Sequence, residues 1–148
     1  MPASTSVHIE ATPSRIWEVL TAFNEWGDWN TFIPKITSHA DRPGIGTNVT
    51  FTAYAEGAAP ATYTCRFVTW DPRREFAWLG GPMPLMLEWL ARGYHWFKLI
   101  PEGSGTRFIH GEELQGLFSY FMPQSMLDNL TRSLEGFNKD LRQRCEGK

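Results

Sequence analysis

The chain has 148 residues and a formal net charge of −2, enough length for one domain with one sizeable core. No basic excess marks a nucleic-acid footprint, so no nucleic-acid partner is expected. Seven Trp, ten Phe and four Tyr are a heavy aromatic load. Part of it must build a core, and the surplus suits a cavity for a flat or greasy ligand.

Residues 4–10 alternate, with Val7 and Ile9 on one face and His8 and Glu10 on the other, which predicts a first strand. Thr12 and Pro13 then suit the N-cap and first position of a helix whose buried side is Ile16, Trp17 and Leu20. Residues 24–30 predict a second short helix or turn, broken near Pro34. Residues 35–40 read as a strand, and Gly44 and Gly46 as a turn. Four more strands follow, over 48–54, 61–70, 75–80 and 93–100. They set Phe51, then Tyr63, Cys65 and Phe67, then Phe76 and Trp78, then His95, Phe97 and Leu99 on inward faces. The turn at 102–105 leads into a last strand, 106–114, that sets Phe108, His110 and Glu112 together. Residues 123–144 carry Leu127, Leu130, Leu134, Phe137 and Leu141 at steps of three and four, one apolar stripe on a helix. At 1.5 Å per residue that helix is roughly 33 Å long and needs a broad partner surface.

The order predicts an α+β fold in a single domain over 1–148. A seven-stranded curved antiparallel sheet wraps around the long C-terminal helix, with two short helices after the first strand. The gap between sheet and helix is a natural ligand cavity. Cys65 and Cys145 show no Cys-x-x-Cys spacing and read as free thiols in a reducing compartment. With no signal-peptide pattern and no long apolar run, a cytoplasmic location is expected.

Several stretches taken together resemble the SRPBCC superfamily, also called START-like or Bet v 1-like. They are Ala11-Thr12-Pro13-Ser14-Arg15-Ile16-Trp17-Glu18-Val19-Leu20; Trp26-x-x-Trp29-Asn30-x-Phe32-Ile33-Pro34; Gly44-Ile45-Gly46; and the run from Gly105 through His110-Gly111-Glu112 to Gly116. Within that superfamily the sequence is most similar to the polyketide cyclase/dehydrase-like group. The resemblance covers essentially the whole chain and implies the helix-grip fold with a hydrophobic cavity between sheet and long helix. The superfamily includes lipid and hormone binders, cyclases and aromatases, and cochaperone-like domains, so fold membership does not choose among them. It also implies that the counterpart of Trp29-Asn30 holds one corner of the fold.

His95, His110 and Glu112 share one predicted face. A His beside a carboxylate can work as general acid or base near neutral pH. The catalytic reading makes His110 the proton shuttle, Glu112 its orienter and His95 a carbonyl polariser, for cyclisation, dehydration or isomerisation. The ordinary alternative is that these groups hydrogen-bond one another, the backbone or water at the cavity edge. Two His and one Glu could ligate a metal, but the spacing carries no signature, and neither metal nor cofactor is expected.

Tyr63, Trp78, Phe51, Phe67, Phe97 and Phe108 are expected to line or floor the cavity, the phenylalanines being better suited to plain core and Tyr63 to ligand contact. Trp17, Trp26 and Trp29 are expected to cap one end of it. The apolar segment 82–90, with Met86, reads as a lid, a surface that dips into a membrane, or a dimer contact. Phe118 and Met122 supply the opposite lip. The chain is thus expected to be a monomer or homodimer that takes a small hydrophobic molecule, aromatic or polyketide-like. The alternatives are a non-catalytic lipid or isoprenoid carrier and a cochaperone-like interaction domain.

Overall fold

The computed structural model describes residues 2–147. Seven strands form one antiparallel sheet: β1 (Pro2–Ile9), β2 (Lys35–Ser38), β3 (Asn48–Ala53), β4 (Ala61–Asp71), β5 (Glu75–Gly80), β6 (Arg92–Glu102) and β7 (Gly105–Gln115). Their spatial order is β1-β7-β6-β5-β4-β3-β2. β2 to β7 are therefore a simple meander, and β1 adds to its far edge. The β6–β7 hairpin closes through Gly103 and Ser104, and Gly103 takes φ 61 at the turn. β1 begins two residues before the alternation of Val7 and Ile9 suggests, because Ala3 continues the inward face and is buried.

Two helices and three short 3-10 turns complete the described residues. In α1 (Pro13–Thr21) the Thr12 side chain accepts a hydrogen bond from the Arg15 backbone N–H, and Pro13 opens the helix. The second short helix of the sequence reading is a 3-10 turn at Phe23–Asp28. Two further 3-10 turns, Leu85–Leu87 and Leu117–Phe121, flank the β6–β7 hairpin. The C-terminal helix α2 (Gln124–Cys145) lies along the concave face of the sheet. Leu134, Phe137 and Leu141 on its inner stripe are fully buried, and Arg142 and Arg144 in its last turn complement the helix dipole. No helix among the described residues is long and apolar enough to cross a membrane.

The core is densest where α1, the Phe23–Asp28 turn and the second half of α2 meet the sheet. Trp26 is wholly buried there, with Phe137 and Phe97 at ring distances of 5.2 and 6.0 Å, and its indole N–H donates to the Leu20 carbonyl at 3.0 Å. Asn30 locks the following corner: its amide donates to the Trp26 carbonyl at 2.9 Å, and its Oδ1 accepts from the Ile33 N–H at 2.8 Å. A register shift between Phe67 and Thr69 breaks the alternation of β4. It brings Trp70, an even-numbered residue, onto the inner face with Phe67 (rings 4.9 Å apart) and Trp17 (5.3 Å). Strict alternation could not have placed it there.

Candidate functional site

Toward the other end of the sheet the side chains shorten and α2 is less deeply seated. Leu127 and Leu130 are only partly buried, and a cavity of about 480 Å³ opens between helix and sheet. Its floor is Phe51, Tyr63, Cys65 and Trp78, and its helical wall is Ser125, Met126, Asn129 and Leu130. Gly80 and Gly93 pair directly across β5 and β6 and leave that part of the floor without side chains. The lining is mostly apolar, with His95 and Glu112 side by side on one wall.

The sheet register explains that wall. Phe97 pairs with His110 and His95 pairs with Glu112, so one step along the hairpin replaces Phe97 by His95 on β6 and His110 by Glu112 on β7. His95 is buried, its ring stacked on Phe97 at 4.7 Å and beside Trp78 at 4.9 Å. Its Nδ1 is 3.3 Å from Glu112 Oε1, and its Nε2 is 2.6 Å from Nε2 of His110. His110 has no exposed surface and stands behind His95, outside the cavity lining. Its Nδ1 faces Oδ1 of Asn138 on α2 at 2.9 Å. The Asn138 amide donates to Thr5 Oγ1 at 2.8 Å, and the Thr5 hydroxyl donates to the His110 backbone carbonyl at 2.8 Å. The chain of polar groups therefore runs from the cavity wall through the sheet–helix interface to β1.

Burial, reinforced by the neighbouring His95 ring, holds His110 well below the usual imidazole range, so it stays neutral. Burial and the nearby Glu112 carboxylate raise the Tyr63 phenol, which stays protonated. Burial pushes the Cys65 thiol up to about 12, so this cavity residue is no thiolate nucleophile. Among the described residues no group of His, Cys, Asp or Glu is arranged to hold a metal ion. With 2.6 Å between their Nε2 atoms, His95 and His110 leave no room for a cation between them.

The structure thus divides the residues singled out from sequence. His95, Glu112, Tyr63, Trp78, Phe51 and Met122 line the cavity. Phe67, Phe97 and Phe108 face inward as expected but belong to the closed part of the core, packed on Trp70, Phe76, His110 and Phe137. Met86 and Phe118 are 86 % and 43 % exposed and lie outside the lining. Trp26 and Trp17 plug the closed end rather than cap the cavity, and Trp29 packs on Phe137. Asn138 and Thr5 escaped the sequence reading. The available signal was an Asn four residues after Leu134 and next to Phe137, on an otherwise apolar stripe.

Segment 82–90 is neither a buried lid nor loose. Glu88 turns inward and takes both guanidinium nitrogens of Arg66, at 3.0 and 3.2 Å. The N–H groups of Leu117 and Phe118 donate to the carbonyls of Trp89 and Leu90 at 3.0 and 2.8 Å. Gly116 takes φ 102 where a side chain would collide with the Leu90 backbone. The two segments become one platform beside the mouth that exposes Leu85, Met86, Trp89, Tyr120 and Phe121.

Residues 3–146 match the family model described as polyketide cyclase / dehydrase and lipid transport. The chain belongs to that family. Solved structures agree on the fold at low identity. A Thermus thermophilus protein matches with a TM-score of 0.77 and 17 % identity over 99 % of this chain and 98 % of its own. A START superfamily protein from Mycobacterium smegmatis matches at 0.77 with 13 % identity, over 99 % and 97 %. An aromatase/cyclase from a Streptomyces species matches at 0.72 with 14 % identity, over 99 % and 93 %. No curated protein matches the sequence. The family member described here thus has the helix-grip fold, with its sheet curved around α2, and the family supports a hydrophobic ligand-binding role.

Proposed function

We propose that this protein binds one small hydrophobic ligand, aromatic or polyketide-like, between sheet and α2, and turns it over by acid–base chemistry at His95 and Glu112. The observation that carries the reading is an apolar cavity of about 480 Å³ with a His–carboxylate pair on its wall. A few convergent polar groups in an apolar pocket fix a ligand's orientation, and a His–Glu pair can move a proton at a carbonyl or hydroxyl. His95 takes the role that the sequence reading gave to His110, because His95 meets the cavity and His110 stands behind it.

Native mass spectrometry of freshly purified protein, with denaturing extraction, tests the binding step. One small aromatic or polyketide-like molecule per chain is expected. With that compound as substrate, His95→Asn should lower turnover at least tenfold while the melting temperature moves by a few degrees at most. Full activity in the variant would end the catalytic part of the reading.

A second reading, lipid or isoprenoid carriage, is favoured by the exposed apolar platform beside the mouth. A phospholipid or quinone in the extraction would support it in place of the first.

A further inference from the structure

Two imidazoles that meet Nε2 to Nε2 at 2.6 Å need one hydrogen between them. Which ring supplies it is decided at the far end of the chain. The backbone carbonyl of His110 can only accept, so the single hydroxyl hydrogen of Thr5 points to it. The Asn138 amide then donates to the free lone pair of Thr5 Oγ1, which turns Asn138 Oδ1 toward Nδ1 of His110. His110 therefore carries its hydrogen on Nδ1 and, being neutral, offers a lone pair at Nε2. His95 must donate from its own Nε2. That leaves Nδ1 of His95 as a lone pair 3.3 Å from Glu112 Oε1, two acceptors side by side unless one of them carries a proton.

We propose that Thr5 and Asn138 are positioning residues that impose this hydrogen order, so that His95 and Glu112 share one proton at the cavity wall. The pair then has no net charge, and it receives an uncharged carbonyl or hydroxyl oxygen of the ligand in preference to a carboxylate. This ligand preference rests on the cavity-binding reading above, whereas the hydrogen order stands on the geometry alone.

The reverse order fails on the same geometry. If His95 gave Nδ1–H to an ionised Glu112, its Nε2 would accept from His110. Nδ1 of His110 would then be a lone pair pressed against the Asn138 oxygen in a fully buried site.

The groups around the pair do not upset the count. Tyr63 and Cys65 on β4 are held protonated by burial. Arg66 and Arg92 are turned to Glu88. Glu56, at the mouth, is paired with Arg132 at 3.0 Å. On α2 the groups that line the cavity or join the relay, Ser125, Asn129 and Asn138, are uncharged.

Multiple-bond proton–nitrogen correlation on the full chain, with nitrogen-labelled histidine, reads both tautomers directly. His8 and His39, the remaining two of the four histidines, serve as references. At neutral pH His110 should appear as the Nδ1–H form and His95 with its hydrogen on Nε2. Thr5→Val frees the Asn138 amide to flip and should give His110 a mixture of tautomers with the melting temperature changed little; Thr5→Ser should restore the single form. His110 as Nε2–H in the wild type, or an unchanged His110 in Thr5→Val, overturns the proposal.

Calorimetric titration with naphthol and naphthoate tests the ligand preference, with naphthol expected to bind at least tenfold more tightly. Equal affinities would refute the preference. Failure of both to bind would instead strike the cavity reading, and the nitrogen shifts would still decide the hydrogen order.

Discussion

The two ends of the sheet–helix interface are built from the same alternation and differ in what α2 brings to them. At the closed end Leu134, Phe137 and Leu141 have no exposed surface and meet Trp26, Phe97 and Phe108. At the open end the helix offers Ser125, Met126, Asn129 and Leu130, and the sheet answers with glycines at positions 80 and 93. A close-packed interior there would need side-chain volume that neither partner supplies. The polar relay lies at the boundary: His110 faces the dense side and Glu112 the void. The open end is therefore built for a guest, and the closed end supplies the stability that holds it open.

Truncations on the two sides should differ most. Trp26→Ala removes a fully buried indole and its hydrogen bond to Leu20, at an expected cost of about 3–5 kcal/mol. Phe51→Ala, on the cavity floor, removes a ring that already borders empty space, and should cost clearly less. Urea unfolding of the two variants checks this. Equal losses, or the reverse order, would mean that the open end is as stabilising as the closed one.

The next effect concerns the boundary and depends on pH. The folded value of His110 is depressed by burial, so the folded protein binds fewer protons at this ring than the unfolded chain does. Its contribution to stability is therefore present above the unfolded value of about 6.5 and is lost as pH falls below it. The expected slope is up to about 1.4 kcal/mol per pH unit until the folded ring itself protonates. His8, whose value Glu10 and Glu102 raise, works at the surface in the opposite sense: its contribution is present at low pH and lost as pH rises through its folded value. His110→Gln should be less stable than the wild type at neutral pH, and the gap should narrow on acidification. A constant gap across pH would show that His110 is not held neutral.

A smaller loss is expected at the platform's joint. Gly116 sits at φ 102, and a Cβ there would stand 2.8 Å from the Leu90 carbonyl carbon. Gly116→Ala should cost about 1–3 kcal/mol and loosen the platform while sparing the closed end. Hydrogen exchange at Leu117 and Phe118, whose amides donate to segment 82–90, would report it. Protection unchanged from the wild type would mean that the two segments do not depend on each other.

Apart from the end of β4 beyond its register shift, alternation along each strand is enough to read which face a residue occupies, and steps of three and four are enough to read α2. Depth along the interface was not legible, because it depends on where the helix lies over the sheet. Phe97 and His95 share a face, and only the second meets the cavity. The same limit set His110 beside the ligand in the sequence reading, when it stands one step behind. Trp70 is beyond the reach of alternation for a different reason: one extra residue in β4 inverts parity, and nothing in Phe67-Val68-Thr69 announces it. From sequence, segment 82–90 with Met86 is open to a lid, a membrane-dipping surface or a dimer contact, and Phe118 to the opposite lip. Here the inward position on segment 82–90 is taken by Glu88, whose charge is satisfied by Arg66.

The smallest stability effect should accompany the sharpest change in surface behaviour. Leu85 and Met86 are 72 % and 86 % exposed, so replacing both with Ser removes little buried area. The stability change should stay within about 0.5 kcal/mol. If the platform serves carriage, wild-type protein should co-sediment with neutral phosphatidylcholine vesicles and the double variant should remain in solution, because the apolar area offered to the interface has gone. Ligand uptake into the cavity from free solution should be unchanged, since neither residue lines it. Wild-type protein that ignores vesicles would remove the carrier reading and leave the cavity reading to stand alone at the open end.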